Sequence, residues 1–177
     1  MNMKNSAVLH EVSDCDFRST YWGMTRDGVK HSEPCKPENE SPLHLSYKDT
    51  VLELETVVGY HFIDNSLVEA GYAFSEQYDS EGLYIEQYGK LKDYLSGIYG
   101  LPMLDEDINT FCANSCGEDE QELESLMLLT EWLTERSIIR MILMGDTQRC
   151  EFGVLHRSRG HVLVIENTEK SVKWGIN

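Results

Sequence analysis

The sequence has little positive charge and no long apolar run. Its 177 residues contain 15 lysines and arginines against 31 aspartates and glutamates, which gives a formal net charge of -16. Direct binding to nucleic acid or to an anionic membrane needs a basic surface, so this composition disfavours both. Apolar stretches such as residues 125–129 end in charged or polar positions after a few residues, whereas a membrane span needs about 20 apolar residues. We therefore expect no membrane span.

Cysteine is scarce, and its number is odd. The five cysteines are irregularly spaced, at Cys15, Cys35, Cys112, Cys116 and Cys150. This pattern argues against the disulfide framework of a small secreted protein and favours reduced thiols. The apolar patch at residues 6–9 is too short for the core of a signal peptide. We expect a cytoplasmic protein; the alternative is an exported protein whose signal has been removed.

Motifs for catalysis and for cofactors are missing. The chain has no Gly-x-Ser-x-Gly turn and no glycine-rich phosphate loop. Cys112 and Cys116 have the spacing of half a zinc site, but no second pair follows them. Whether these two cysteines pair or bind metal stays open. We expect no cofactor and no enzymatic activity, although a Cys-His pair assembled only by folding would escape this reasoning.

One acidic segment is similar to the start of a calcium loop. Residues 105–109 (DEDIN) place oxygen-bearing side chains at alternating positions. Such a loop then needs glycine at its sixth position and glutamate at its twelfth, where this chain has Thr110 and Cys116. The segment therefore does not predict a calcium site.

The first part of the chain predicts a short helix and then strands. Thr25 can cap a helix over residues 26–32, and the three prolines of residues 34–42 form a linker. Alternating apolar residues predict strands at 43–47, 51–62 and 68–74. The last two form a hairpin around a turn at residues 64–66.

The second part predicts helices and then strands again. An apolar stripe with spacings of three and four residues predicts a helix from residue 80 to Gly100. The acidic segment 118–129 predicts a further helix, because acidic residues favour a helix N-terminus. Strands are expected at residues 131–135, 137–145 and 150–158, and a short strand at 161–166 would belong to the tail.

These elements predict one α+β domain. An antiparallel sheet of about six strands would carry helices on one face, in two similar halves that each run helix-β-β-β. We expect a flexible leader at residues 1–15, the domain at 16–158 and a C-terminal extension at 159–177. The halves would divide at residues 78 and 79.

Short motifs of the chain resemble those of an uncharacterised group of bacterial proteins, many of them exported or lipid-anchored. The matching residues are Phe17-Arg18, Trp22-Gly23-Met24 and Tyr99-Gly100-Leu101-Pro102. The plan is also similar to the helix-plus-meander repeats of beta-lactamase-inhibitor-like folds and of small outer-membrane assembly lipoproteins. The resemblance implies a fold but no catalytic residues. It implies that Trp22 and Met24 pack the short helix onto the sheet.

Two kinds of binding and one kind of catalysis remain as functions. The principal hypothesis is a non-catalytic protein-binding module. An alternative is an acidic inhibitor or immunity-type protein that binds a basic toxin or nuclease, with mimicry of nucleic acid as one means of binding. An unrecognised enzyme is the third. Candidate partner-binding residues are the acidic run and one tyrosine beyond the apolar stripe: Glu118, Asp119, Glu120, Glu122, Glu124 and Tyr94.

Overall fold

The computed structural model describes residues 15–107, 110–111, 124–145 and 150–160. These ranges contain two helices and nine strands. The helices are α1 (Arg26–Ser32) and α2 (Glu81–Tyr99). The strands are β1 (Asn39–Glu40), β2 (His44–Val51), β3 (Leu54–Ile63), β4 (Ser66–Phe74), β5 (Leu104–Asp107), β6 (Thr110–Phe111), β7 (Glu124–Leu133), β8 (Ser137–Gly145) and β9 (Cys150–Ser158).

The strands form one antiparallel sheet in the order β1-β2-β3-β4-β9-β8-β7-β5, and β6 pairs with β7 beside this path. The predicted α+β class with an antiparallel sheet is confirmed. The predicted number of about six strands is too low. The additional strands β1, β5 and β6 have only two to four residues each, which is too short for a visible alternation.

Strands β4 and β9 pair at the centre of the sheet and join its two groups of strands. Strands β2 to β4 form one meander, β7 to β9 form another, and the last strands of both meanders pair with Tyr72 opposite Val154. The sheet therefore contains two groups of strands that meet at this seam. A division of the chain at residues 78 and 79 stays a prediction.

Helix α2 covers the inner face of the second group. The stripe expected from the sequence is confirmed in its central part, because Tyr84, Tyr88, Leu91 and Leu95 are buried. The Tyr88 hydroxyl lies 2.8 Å from the Thr130 hydroxyl, and burial raises the pKa of Tyr88 to about 12. The helix ends as expected at Gly100, which has a φ of 85°. No helix of the described ranges has the length and apolar character to span a bilayer.

The helix predicted over residues 118–129 is wrong from Glu124 onward, because Glu124 to Leu133 form β7; residues 118–123 lie outside the described ranges. On β7, Thr130 and Trp132 point into the core, while Leu129 and Leu133 lie on the other face. Both faces of the strand are apolar there, so the sequence shows no alternation. The sequence therefore predicts a helix here because the sheet has a second apolar face, which hides the alternation of a strand.

The predicted boundary between β2 and β3 also needs correction. Strand β2 continues to Val51, and the chain turns at Leu52 and Glu53. Both residues have positive φ, 50° and 69°, which ordinarily favours glycine or asparagine. Without those residues the turn has no sequence signal. The turn predicted at residues 64–66 is confirmed in its position, with positive φ at Asp64 and Asn65.

Residues 16–24 fasten the two groups of strands together. Asp16 accepts a hydrogen bond from Arg136 at 2.7 Å, and the Trp22 indole donates one to Ser137 at 2.9 Å, both in the second group. The backbone of Gly23 donates to Leu67 in the first group at 2.9 Å. Trp22 and Met24 pack against the core. Residues 16–24 therefore have a structural role, because they connect the two groups of strands.

The same segment buries a charged network under the first group of strands. The Arg18 guanidinium binds Glu33 at 3.2 Å and Asp49 at 2.7 Å, and the Tyr60 hydroxyl donates to Glu33. Burial alone would lower the pKa of Arg18, but Glu33, the neighbouring tyrosines and the hydrogen bond to Asp49 together outweigh it, so the pKa is raised. Burial and Glu33 also raise the pKa of Tyr60 well above its ordinary value. Arg18 therefore stays charged and Tyr60 stays neutral at neutral pH.

A candidate binding groove on the open face of the sheet

The face of the sheet opposite α2, here called the open face, carries no helix among the described residues. Its positions alternate with the core positions along every long strand. On β3, for example, Val57, Gly59 and His61 lie on the open face, while Val58 and Tyr60 are buried on the inner one.

Small residues from three strands meet at the centre of this face. Gly59 on β3 is opposite Gly71 on β4, and Ala73 on β4 is opposite Gly153 on β9. Because these four positions carry no side chain beyond a methyl group, the sheet has a trough there. We call this trough the groove and these four residues its floor.

The groove has a volume of about 410 Å³. Its apolar walls include Val57, Ile142 and Leu155, and the stem of Arg140 also lines it. This volume falls within the range of about 300–1,000 Å³ that is typical of ligand-binding clefts. The groove is therefore large enough to hold several apolar side chains of a partner.

Two of the floor glycines are required by the backbone itself. A Cβ atom on Gly71 would lie 2.5 Å from the Val154 carbonyl oxygen, and one on Gly153 would lie 2.9 Å from the Tyr72 carbonyl oxygen. These glycines allow β4 and β9 to approach closely. Gly59 differs, because a Cβ there would have no heavy atom within 4 Å. A side chain at position 59 would enter the groove without disturbing the sheet.

The apolar surface continues beyond the groove toward β8 and β7. Ile138, Leu129 and Met127 are half-buried on this face, and Leu133 and Met144 are 43% and 41% exposed. Contiguous apolar surface of this kind is unusual on a soluble monomer and marks interaction sites.

Two arginines on the open face are paired with glutamates on neighbouring strands. Arg157 on β9 binds Glu69 on β4 at 2.8 Å, and Arg140 on β8 binds Glu131 on β7 at 2.6 Å. Each pair joins residues that are directly opposite in the register. The Arg140–Glu131 pair lies between two apolar rows of β7 and β8, and the two charges of each pair neutralise one another.

A pair of histidines lies at one end of the groove. His44 and His61 are opposite each other on β2 and β3, and their Nδ1 atoms are 3.3 Å apart. Burial lowers the pKa of His61, and the neighbouring His44 lowers it further. Glu69 and the Leu43 backbone oppose this shift, whereas Arg157 adds to it.

The histidine pair predicts a dependence of stability on pH. Since the pKa of His61 is lower in the folded than in the unfolded state, the unfolded state binds more protons once the pH falls below about 6.5. The free energy of unfolding should therefore decrease as the pH falls from 8 through 6.5 toward the folded pKa. Urea unfolding at several pH values should show a smaller decrease for His61→Gln. The exposed His31 of α1 provides the control, and an equal decrease in His61→Gln and His31→Gln would contradict the prediction.

Only Glu124 and Tyr94 of the residues proposed from the sequence as a binding site fall within the described ranges. Glu118, Asp119, Glu120 and Glu122 lie outside the described residues, so their role stays a prediction, and Glu124 begins β7. Tyr94 is half-buried on α2 and packs against the core, on the opposite side of the sheet from the groove.

Few of the residues in the metal and thiol hypotheses lie within the described structure. Cys112 and Cys116 lie outside it, whereas Cys15 and Cys35 are free thiols. Within the described ranges, no group of three or more His, Cys, Asp and Glu side chains is arranged to hold a metal ion. In the segment similar to a calcium loop, Asp105 lies on β5 and binds Lys92 at 3.0 Å. That carboxylate therefore ties β5 to α2.

Comparisons of the chain with protein-family models, with curated proteins and with solved structures found no match. The resemblance in short motifs therefore stays a prediction.

Proposed function

We propose that this protein is a non-catalytic protein-binding module and that the open face of its sheet is the binding surface. One observation carries the proposal: an apolar groove of about 410 Å³ lies at the centre of that face and continues into exposed apolar side chains. Leaving this surface in water costs free energy in proportion to its apolar area, at about 25 cal/mol per Å². A partner that covered it would recover that free energy.

The shape of the surface favours a protein over a small molecule. A cleft that takes a small ligand ordinarily encloses about 70–90% of it. Here the groove lies on one face of a sheet, and apolar residues such as Leu133 and Met144 extend away from it. A partner protein can cover both the groove and this extension.

The polar groups around the groove favour binding over catalysis. Arg157 is held by Glu69, Arg140 by Glu131, and His44 faces His61. A catalytic site instead directs acids, bases or nucleophiles toward a common point where a substrate atom would react. An enzyme is therefore the less favoured hypothesis.

The acidic inhibitor remains the second candidate because of the net charge of -16. A basic toxin or nuclease would be attracted to such a surface, and the attraction would weaken steeply with salt. Reversal of Glu118, Glu120 and Glu122 to lysine should abolish capture of such a partner at low salt. Unchanged capture by this variant would eliminate the acidic run as the contact surface.

Gly59→Leu should block the groove while leaving the fold intact. The added side chain has open space at the floor, so it would occupy the volume that a partner needs. We expect capture of groove-binding proteins from a nuclease-treated lysate of source cells to fall about tenfold or more, even at high salt. Quantitative mass spectrometry of wild type and variant pull-downs measures the change.

Gly97→Leu is the matched control for this experiment. Gly97 is exposed on α2, on the other side of the sheet, and a Cβ there also has nothing within 4 Å. The control adds the same apolar side chain and should retain capture. Proteins captured equally by wild type, Gly59→Leu and Gly97→Leu would show that the groove is not the binding surface, and the proposal would fail.

A further inference from the structure

We infer that His44 and His61 form a binding site for one zinc ion, which links β2 to β3 at one end of the groove. The inference goes beyond the proposed function and does not depend on a protein partner. It is carried by the geometry of the histidine pair, because the facing ring nitrogens have the separation that two ligands of one tetrahedral ion require.

The backbone pairing of β2 with β3 brings the two imidazole rings close together. His44 is directly opposite His61 in the register. The Phe62 backbone donates to the Leu43 carbonyl at 2.8 Å, so the neighbouring position is the hydrogen-bonded one and the histidines occupy a non-hydrogen-bonded position. Side chains at such positions approach most closely, with Cβ atoms about 4.5–5.5 Å apart. Both histidines therefore project from the same face, where they line the groove.

The distance between the ring nitrogens fits tetrahedral coordination. The two Nδ1 atoms are 3.3 Å apart. A tetrahedral zinc ion binds imidazole nitrogen at about 2.0–2.1 Å, which places two of its ligand atoms about 3.3–3.4 Å from each other. A square-planar ion such as Cu²⁺ would bring neighbouring nitrogens closer, to about 2.8–2.9 Å. The spacing of the pair therefore favours zinc.

One ring of the pair is held in place and the other can adjust. His61 is half-buried, and its ring forms a hydrogen bond with the Leu43 backbone. Metal-binding histidines ordinarily have such a second partner, which orients the ring. His44 is exposed, and the two ring planes are inclined by 36°, so the His44 ring can rotate to direct its nitrogen at the ion.

The charges beside the pair permit a bound cation. Glu69 is opposite His61 on β4, and its carboxylate binds Arg157 at 2.8 Å, so the positive charge of Arg157 is offset. Among the described residues, no third ligand joins the two histidines, and water would complete the coordination. Such a site binds zinc more weakly than a structural site with four protein ligands.

Zinc should stabilise the fold through this pair, because an ion that binds the native state raises the free energy of unfolding. The protein is first freed of metal with EDTA and kept reduced with a phosphine. Addition of Zn²⁺ should then raise the urea midpoint of the wild type. His44→Gln and His61→Gln should lose this rise, and their apparent affinity for Zn²⁺ should fall by at least about tenfold.

His31→Gln is the matched control, because His31 is exposed on α1 and lies outside the groove. This variant should retain the rise in the urea midpoint. His44 is exposed as well, so His44→Gln leaves the core unchanged and its loss of zinc binding does not reflect unfolding. Circular dichroism of each variant without metal verifies that the fold is kept.

NMR of the histidine rings identifies the ligands directly. On addition of Zn²⁺ to the metal-free wild type, the ring nitrogen resonances of His44 and His61 should shift together. The resonances of His31 should stay in place. The three His→Gln variants assign these resonances.

Three results would overturn the inference. An equal rise of the urea midpoint in wild type and His44→Gln would show that zinc binds elsewhere, for example at thiols. Loss of the rise in His61→Gln alone would mean that the two rings do not share an ion. Absence of both the rise and the ring shifts in the wild type would show that the pair does not bind zinc.

Discussion

Arg18→Ala should lower the free energy of unfolding by about 3–5 kcal/mol, the cost of removing one partner of a buried ion pair. The Arg18 side chain is 13% exposed and the Glu33 side chain 3%, so removal of the guanidinium leaves a buried carboxylate without its counter-charge. Asp49 and Tyr60 lose part of their polar network in the same step. Urea or guanidinium unfolding at neutral pH measures the change.

A surface ion pair and a double variant serve as controls for Arg18. Lys48 binds Glu38 at the edge of the sheet with most of its side chain in water, so Lys48→Ala should cost less than about 1 kcal/mol. Arg18→Ala/Glu33→Ala should cost less than the sum of the single variants, because the second substitution removes the uncompensated charge. Equal costs for Arg18→Ala and Lys48→Ala would show that the buried network does not stabilise the fold as argued.

Gly71→Val should lower the free energy of unfolding by about 3 kcal/mol, the upper end of the cost of overpacking. The first atom of the new side chain would lie 2.5 Å from the Val154 carbonyl oxygen, which belongs to a strand backbone and cannot rotate away. The seam between β4 and β9 would have to open. Thermal and denaturant unfolding would both report the loss.

Gly59→Val is the matched comparison, because Gly59 lies directly opposite Gly71 on the same face. Its Cβ has open space, and a β-branched residue suits a strand, so stability should be unchanged or slightly increased. The difference in stability loss between Gly71→Val and Gly59→Val tests the close approach of β4 and β9. Similar losses at both positions would contradict the close approach of β4 and β9.

The sequence predicts best where one face of an element is apolar and the other is polar. The hairpin after Leu54 and the stripe of α2 have this property and are confirmed, and α1 is confirmed from its Thr25 cap. The predicted helix over β7 fails because β7 is apolar on both faces. The open face is apolar along β7 and β8, and this second apolar face removes the alternation that would have indicated a strand.

The groove could not be predicted because its parts are distant in the chain. Gly59, Gly71 and Gly153 each interrupt a strand pattern, and a glycine inside a strand indicates close backbone approach or a bulge. Only the register across β3, β4 and β9 brings them together, and that register depends on the pairing of β4 with β9. The sequence alone shows three separate glycines and therefore no common floor.

The seam between β4 and β9 has a consequence for synthesis on the ribosome. Strands β2 to β4 leave the ribosome long before β9, and at about 5–20 residues per second the edge of β4 waits several seconds for its partner. During this time its unpaired backbone groups, including those beside Gly71, are open to pairing with other chains. The nascent chain should therefore depend on a chaperone or on prompt completion, and stalling between β4 and β9 should promote its aggregation.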